Sequence, residues 1–248
     1  MPILDKIIAI YTEYGLQKAR KINLGLSGEA VKKQLIMGVE YAYLAGVKGD
    51  IVEFGTQTGR TAKILSFAIN MNRKLEKCIF PKNLLLFDSF EGLPEIKSDI
   101  DKSHPFVKPN GWHKGTLKGL NPKALLKVVR EGGLDSSRIK IYAGWFNETI
   151  DTLPDDTKLA LLHIDSDLYQ SAIDVLDGCF SKGFISEGAI IFFDDWNLAS
   201  PRFGERRAWR EMVEKYNVEY SDEGGYAWNA HKFIIHSYKR GIDATYKR

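Results

Sequence analysis

The chain has 248 residues, of which 44% are hydrophobic and 27% are charged, and its formal net charge is +3. These values are ordinary for a globular protein, and the length suits one large α/β domain. The mild positive charge does not favour nucleic acid, which usually binds a concentrated basic stripe. The apolar start, Met1–Tyr11, is interrupted by Asp5 and Lys6, and no stretch has the apolar length of a membrane span. We therefore expect a cytoplasmic protein without nucleic-acid or membrane partners.

The first part of the chain has helical periodicity. Apolar residues recur at helical spacing from Ile3 to Ile10 and again from Val31 to Tyr43. We predict an N-terminal helical extension over residues 1–48, which serves as a cap or as a dimerisation element of a homo-oligomer. The main domain is predicted to cover residues 49–248.

A strand, a glycine turn and a helix open the main domain. The strand Gly49–Phe54 runs into a turn in which Gly55 and Gly59 allow the backbone to approach a ligand closely. Amides at the start of the following helix can face polar or anionic groups, as in nucleotide-binding βα units. The next strand, Asn83–Phe87, ends at Asp88, where an acid can accept hydrogen bonds from a ribose diol. A turn cap is the alternative role for Asp88.

The segment of about residues 95–120 has no periodic pattern. It contains two prolines, three glycines and Trp112, with His113 and Lys114 beside the tryptophan. A stretch of this length without secondary structure in a compact domain is usually a functional lid or disordered. We predict a lid. Regular structure is expected to return at a helix that begins with Pro122.

Two later strands end in acids. An apolar run of strand length stops at Asp165, with Asp167 two residues later, and a second stops at Asp194 and Asp195. If the two strands lie side by side, three or four carboxylates meet at one edge of the sheet. Like charges at that distance repel strongly, and a bound divalent cation is the usual remedy.

The chain closes with two strands, Val218–Ser221 and His231–Ser237, joined by Asp222–Gly225. With so short a connection they must pair antiparallel if they are neighbours. A dinucleotide-binding sheet is parallel throughout, so this pattern points elsewhere. It matches the seven-stranded, Rossmann-like α/β sheet of class I methyltransferases, in which the last strand is antiparallel.

Six stretches resemble the macrocin O-methyltransferase family. They are Gly49–Gly55, Phe87–Pro94, Gly144–Thr149, Leu162–Tyr169, Phe193–Asp195 and Gly204–Ala208. The most specific are Asp-Ser-Phe-Glu-Gly-Leu-Pro, ending at Pro94, and His-Ile-Asp-Ser-Asp-Leu-Tyr, ending at Tyr169. The resemblance implies an enzyme that depends on S-adenosylmethionine and magnesium and methylates a hydroxyl group of a small molecule, commonly a sugar of a natural product. The lid would then cover the acceptor site.

The resemblance also implies roles for individual residues. The residues implied to bind S-adenosylmethionine are Glu53, Gly55, Thr56, Gly59, Asp88, Ser89, Trp145 and Phe146. In this scheme Asp88 holds the ribose hydroxyls, and the two aromatic side chains lie near the adenine, whose flat face suits an apolar surface. Asp165, Asp194 and Asp195 would be the metal ligands. Carboxylates suit Mg²⁺, and Mn²⁺ or Ca²⁺ could substitute.

A metal at these acids would lower the pKa of the acceptor hydroxyl and fix its oxygen near the sulfonium methyl. The remaining requirement is a base, and we expect Asp167, or Asp165 acting beside the metal. Metal-dependent catechol methyltransferases carry a lysine three residues after the first aspartate, where this chain has Leu168. That departure argues against a lysine base. Trp196 likewise replaces the tyrosine that is common in the family after the paired acids.

Two other functions are consistent with parts of the pattern. A nicotinamide-dependent Rossmann oxidoreductase would need three glycines, but Gln57 stands at the middle position and Asp88 comes too late. A non-catalytic nucleotide-binding protein would not need three converging acids. His163 lies inside an apolar strand and is expected to be buried and hydrogen-bonded rather than a ligand.

Overall fold

The computed structural model describes residues 27–77, 80–109 and 111–240. The strands are β1 (Asp50–Phe54), β2 (Leu84–Asp88), β3 (Ile139–Ala143), β4 (Leu159–Ile164), β5 (Ile185–Phe193), β6 (Glu219–Gly225) and β7 (His231–Ser237). The helices are α1 (27–44), α2 (Arg60–Met71), α3 (Asp99–Lys102), α4 (Pro122–Arg130), α5 (Phe146–Thr149), α6 (Tyr169–Ser181) and α7 (Gly204–Tyr216). None of these helices, in the part of the chain described, is long and apolar enough to cross a membrane.

The seven strands form one mixed sheet in the order β3-β2-β1-β4-β5-β7-β6. Strands β1 to β5 are parallel to one another, and β7 inserts antiparallel between β5 and β6. The predicted class I methyltransferase sheet is thereby confirmed. The end of β6 was predicted wrongly, because Asp222–Gly225 continues the strand and the connection is formed by residues 226–230. Asp222 pairs with Phe233 in the ladder, which extends the hairpin.

The central strands are buried on both faces. All six residues of β4 are buried, because helices cover both sides of a parallel sheet. Helix α1 covers one face: a Cβ built on Gly38 would lie 2.6 Å from the ring of Phe192, so the helix approaches β5 closely. This helix is the described part of the predicted extension. Residues 1–26, and any dimerisation element in them, lie outside the described residues.

The parallel strands finish together at one edge of the sheet. The amide of Gly55 donates to the carbonyl of Phe87 (2.9 Å), and the amide of Asp165 donates to the carbonyl of Phe54 (2.9 Å). The amide of Asp194 likewise donates to the carbonyl of Ile164 (3.0 Å) on the neighbouring strand. The residues that follow β1, β4 and β5 are therefore held next to one another, where open parallel sheets bind ligands.

The segment predicted to be a lid is fastened to the glycine turn after β1. The amide of Leu93 donates to the carbonyl of Thr116 (2.8 Å), which draws the two ends of the segment together. The amide of Leu120 donates to the carbonyl of Gln57 (2.8 Å), in the glycine turn after β1. The segment also contains α3, which the sequence did not predict. We refer to residues 95–120 as the lid.

Asp101 fastens the lid to α6. Its side chain is 2% exposed, and its carboxylate accepts hydrogen bonds from the amides of Tyr169 (2.8 Å) and Gln170 (3.1 Å). These are the first two residues of α6, and the residue before them, Leu168, has no polar side chain to cap the helix. Asp101 therefore supplies the N-cap of α6 from a distant part of the chain.

An aromatic cluster joins the middle of the lid to the start of α7. His104, which is 3% exposed, stacks on Trp112 with 4.9 Å between ring centroids. Its ring also meets Phe203, the residue before α7, edge to face at 5.4 Å. The lid thus packs against the starts of both α6 and α7.

We expect Asp101→Ala to lower the free energy of unfolding by about 1–2 kcal/mol, because two amides at the start of α6 lose their acceptor. Urea denaturation followed by circular dichroism measures this change. Asp99→Ala is the matched control, since Asp99 is exposed on the same short helix and pairs with Lys102 at the surface. Equal unfolding midpoints for the two variants would contradict the capping role.

Candidate active site

A cleft of about 860 Å³ opens at the edge where the parallel strands end. Nine of the predicted site residues line it: Gly55, Asp88, Ser89, Trp145, Phe146, Asp165, Asp167, Asp194 and Asp195. Three others, Glu53, Thr56 and Gly59, are not among the described residues that line it. The cleft therefore gathers the residues that follow β1 to β5, together with part of the lid.

Gly55 sets how closely the glycine turn approaches the acids. Its φ is 87°, and a Cβ built on it would overlap the carbonyl oxygen of Asp165. A side chain at this position would push the turn after β1 away from the turn after β4. Gly59 precedes α2 and allows close packing, since a Cβ there would lie 2.8 Å from Leu125 on α4. The contact of Gly59 with the cofactor stays a prediction.

Asp88 holds the glycine turn in shape. Its Oδ2 accepts hydrogen bonds from the amide of Thr56 (2.8 Å), the hydroxyl of Thr56 (3.0 Å) and the amide of Gln57 (3.1 Å). Its Oδ1 accepts from the amide of Phe90 (2.7 Å). Each carboxylate oxygen has two lone pairs, and Oδ1 receives a single donor, so Oδ1 keeps room for one ligand hydroxyl. The alternative role of Asp88 as a turn cap is therefore observed, and its contact with a ribose hydroxyl stays a prediction.

Glu53 does not reach the cleft. It is fully buried beside His163, its register partner on β4, and its Oε2 lies 3.0 Å from Nδ1 of that histidine. Burial lowers the pKa of His163, but the hydrogen bond and charge of Glu53 outweigh that effect and raise it. The expectation of a buried, hydrogen-bonded histidine is confirmed. The direct cofactor contact of Glu53 stays a prediction: Oε2 is engaged inside the sheet, whereas Oε1 is buried with no hydrogen-bond partner among the described residues.

The turn after β3 supplies an aromatic wall. Trp145 and Phe146 line the cleft, and the ring of Phe146 meets that of Phe54 edge to face at 5.6 Å. The amide of Gly144 donates to the carbonyl of Asp88 (3.0 Å), which ties this turn to the end of β2. The arrangement offers a flat apolar surface next to the acid that can receive a ribose hydroxyl.

Asp165, Asp194 and Asp195 converge as predicted from the strand ends. Each offers a carboxylate oxygen within 4.8 Å of the other two. Burial and the neighbouring negative charges raise the pKa values of Asp165 and Asp195 well above the usual range. Oδ1 of Asp194 is buried with no hydrogen-bond partner among the described residues. Three mutually repelling carboxylates and an unpartnered oxygen fit a hard divalent cation.

Asp167 has a strained backbone. Its φ is 58°, a conformation that residues other than glycine rarely adopt. Burial raises its pKa to about 6. Gln57 and Leu117 also line the cleft and also have positive φ. Strain of this kind concentrates where the surrounding structure imposes a conformation for function.

Two residues near the acids were not assigned a role from sequence. Glu205 is fully buried, and burial raises its pKa to about 8. Its carboxylate accepts from the amides of Ser166 (3.0 Å) and Asp195 (2.9 Å). The Nδ2 of Asn229 donates to Oδ1 of Asp195 (3.4 Å). Glu205 lies in Gly204–Ala208, one of the stretches that carry the family resemblance, but it was assigned no role there, and no sequence signal pointed to Asn229.

The lid forms the remaining wall of the cleft. Its lining residues are Glu95, Ile96, Lys97, Ser98, Asp101, Lys114 and Leu117. Most of them are polar, and both signs of charge are present. The lid therefore borders the cleft where the sequence placed it, while its action as a cover over an acceptor stays a prediction.

Solved structures share this fold. The O-methyltransferase NovP superposes with a TM-score of 0.68 at 21% identity, covering 84% of this chain and 80% of that one. The calicheamicin methyltransferase CalS11 gives a TM-score of 0.60 at 22% identity, covering 94% and 86% respectively. At these identities the likeness supports the fold alone.

Curated relatives are similar in sequence. One is 8-demethyl-8-(2,3-dimethoxy-alpha-L-rhamnosyl)-tetracenomycin-C 4'-O-methyltransferase of Streptomyces olivaceus. It is 28% identical over 184 residues, which are 73% of this chain and 63% of that protein. Mycinamicin III 3''-O-methyltransferase of Micromonospora griseorubida is 29% identical over 190 residues, 75% and 67% of the two chains. Demethyldecarbamoylnovobiocin O-methyltransferase of Streptomyces niveus is 24% identical, with 60% of its length covered. The matches span between 60% and 67% of the relatives' lengths, so the chain covers less than two thirds of two of them.

A family model matches most of the chain. The model of the macrocin O-methyltransferases (TylF) covers residues 17–221, which include the glycine turn, the lid, the converging acids and α7. The six stretches that carry the resemblance in the sequence all fall inside this range. The chain therefore belongs to the macrocin O-methyltransferase family.

Proposed function

We propose that this protein is an S-adenosylmethionine-dependent O-methyltransferase that requires a divalent cation and acts on a hydroxyl group of a sugar or glycosylated small molecule. The observation that carries the proposal is the contact between the glycine turn and the acids, where Gly55 lies against the carbonyl of Asp165. That contact brings the glycine turn, which we propose as part of the cofactor site, and the acids into one cleft. The relatives support the choice of reaction, since all three are named as O-methyltransferases and one name includes a rhamnosyl group.

The cofactor would lie in the part of the cleft that is lined by the residues at the ends of β2 and β3. Oδ1 of Asp88 has room for a ribose hydroxyl, and Ser89 follows it at the cleft wall. Trp145 and Phe146 offer the adenine an apolar face. Bound there, S-adenosylmethionine supplies a methyl group on a sulfonium centre. A nicotinamide cofactor is a poorer match, because Gln57 stands where a Rossmann turn needs its middle glycine.

The converging acids would hold the cation. Asp165, Asp194 and Asp195 offer hard oxygen ligands for Mg²⁺, with Mn²⁺ or Ca²⁺ as substitutes. When bound, the cation supplies positive charge that offsets the mutual repulsion of the carboxylates and favours loss of the acceptor's hydroxyl proton. The residues present fit this group, since the buried Oδ1 of Asp194 otherwise lacks a partner among the described residues.

Proton removal falls to an acid beside these three. Asp167 lines the cleft two residues after Asp165, and its backbone is held in an unusual conformation. A carboxylate at this position can take the hydroxyl proton as the acceptor oxygen bonds to the methyl carbon; the carbon–sulfur bond breaks, and S-adenosylhomocysteine leaves as a neutral thioether. Asp165 is the alternative base. Because Asp167 stands outside the set of three converging oxygens, it is the better candidate.

The reaction itself is tested with methyl-labelled S-adenosylmethionine and a panel of glycosylated metabolites. Label transfer to a sugar hydroxyl is the expected outcome.

We expect Asp194→Asn to reduce turnover by at least about 100-fold, because one of the three converging carboxylates loses its charge. Calorimetry should show S-adenosylmethionine affinity within about two-fold of the wild type, as should the exposed control variant Asp155→Asn. Loss of cofactor binding in Asp194→Asn would contradict the separation of the two sites.

Removal of divalent cations should stop the reaction without releasing the cofactor. In excess EDTA we expect turnover to fall to background and calorimetric binding of S-adenosylmethionine to persist. Addition of Mg²⁺ or Mn²⁺ beyond the chelator should restore turnover, because the acids then regain a counter-charge. Full turnover in the chelator would rule out the cation requirement while leaving methyl transfer itself in place.

The two candidate bases are separated by comparing Asp167→Asn with Asp165→Asn. We expect Asp167→Asn to lower kcat by about 10²–10⁴-fold, the usual contribution of a general base, and to leave the affinity for Mn²⁺ unchanged. Asp165→Asn should lower both kcat and the Mn²⁺ affinity, which electron paramagnetic resonance measures. Loss of Mn²⁺ binding in Asp167→Asn would assign that residue to the cation site and not to proton transfer.

A further inference from the structure

Glu205 is a buried acid for which the proposed reaction has no role. It is the second residue of α7 and has no solvent exposure. Its Oε1 accepts from the amide of Ser166 (3.0 Å) and from the hydroxyl of Ser166 (3.3 Å), and its Oε2 accepts from the amide of Asp195 (2.9 Å). One side chain thus joins the turn after β4 to the turn after β5.

The two amides that donate hydrogen bonds to Glu205 belong to the turns that carry the converging acids. Ser166 follows Asp165 directly, and Asp195 is another member of the converging set. Strands β4 and β5 are neighbours, but their ladder of pairs ends at Ile164 and Phe193. Beyond that point, the carboxylate of Glu205 bridges the two backbones and fixes how far apart the acids stand.

The start of α7 is shaped to bring Glu205 into this position. Gly204 has a φ of 55°, and a Cβ built there would lie 3.4 Å from the carbonyl oxygen of Asp167. The helix therefore begins against the turn after β4. An acid in the first turn of a helix is favoured by the positive end of the helix dipole, which offsets part of the repulsion from the neighbouring acids.

A fifth carboxylate beside Asp165, Asp167, Asp194 and Asp195 adds to their repulsion, so it is unfavourable unless it makes a compensating contact. An apolar side chain would avoid the repulsion, but it would leave the amides of Ser166 and Asp195 buried without an acceptor. We propose that Glu205 is a positioning residue that sets the separation of Asp165 and Asp195, and with it the affinity of the acidic site for a divalent cation. The proposal rests on the proposed function, since it assigns the cation to those acids.

The test uses Glu205→Gln, which keeps the size of the side chain. Its amide group can accept at one end only, so the amide of Ser166 or of Asp195 must lose its acceptor. Glu214→Gln is the matched control, an exposed glutamate on the same helix. Binding of S-adenosylmethionine, measured by calorimetry, should stay within about two-fold in both variants and serves to verify folding.

Three measurements on the full-length variants decide between the outcomes. Amide hydrogen exchange, read by mass spectrometry on peptides that contain Ser166 or Asp195, should accelerate in one of the two peptides of Glu205→Gln. Its affinity for Mn²⁺ should fall about 10–100-fold, the usual cost of losing a partner of metal ligands. The kcat should fall with it and recover in part at high Mn²⁺, which general destabilisation would not produce. Accelerated exchange with unchanged Mn²⁺ affinity would overturn the positioning role.

The outcome is separable from that of the proposed function. If the wild-type protein binds no Mn²⁺ and turns over in EDTA, the cation requirement fails, and the proposal for cation affinity fails with it. If the wild-type protein binds Mn²⁺ and Glu205→Gln retains the full affinity, the cation site stands and Glu205 loses its assigned role. Unchanged exchange at both amides would likewise overturn the proposal, because the bridge would then not hold the two turns.

Discussion

The whole site depends on one close backbone contact, the absence of a side chain at Gly55 against the carbonyl of Asp165. Strands β1 and β4 are neighbours, so the turns that follow them must share the space above the sheet edge. Any Cβ at Gly55 would open that space. The distance between the glycine turn and the acids is therefore set by main-chain packing at the edge of a rigid sheet. Such packing positions groups more precisely than flexible side chains do.

This edge concentrates negative charge, and the fold compensates with backbone donors. The carboxylate of Asp88 accepts hydrogen bonds from three amides of the surrounding turns, and that of Glu205 accepts hydrogen bonds from two amides. Asp101 receives two more at the start of α6. The converging acids Asp165 and Asp194 are in a different situation, because no amide contact of this kind satisfies them among the described residues. The charge left uncompensated lies where a cation is proposed to bind.

The sequence predicted those features whose cause is local. Apolar runs of strand length that stop at acids predict Asp165, Asp194 and Asp195 at one edge, because parallel strands end on the same side of a sheet. Contacts that depend on how distant elements pack were missed. Glu53 belongs to His163 through strand register, Glu205 reaches Ser166 across 39 positions, and Asp101 reaches Tyr169 across 68. No periodicity or spacing encodes such pairs.

The walls of the cleft come from two kinds of structure, the ends of the strands and the lid. The groups proposed for the chemistry follow the strands, whereas the far wall comes from a segment that is fastened at Gln57 and at the start of α6. Lys97 and Lys114 line the cleft from the lid and take part in neither fastening. Within the proposed function, we therefore propose that selection among acceptors depends on the lid, in keeping with the general placement of specificity on loops carried by a rigid scaffold.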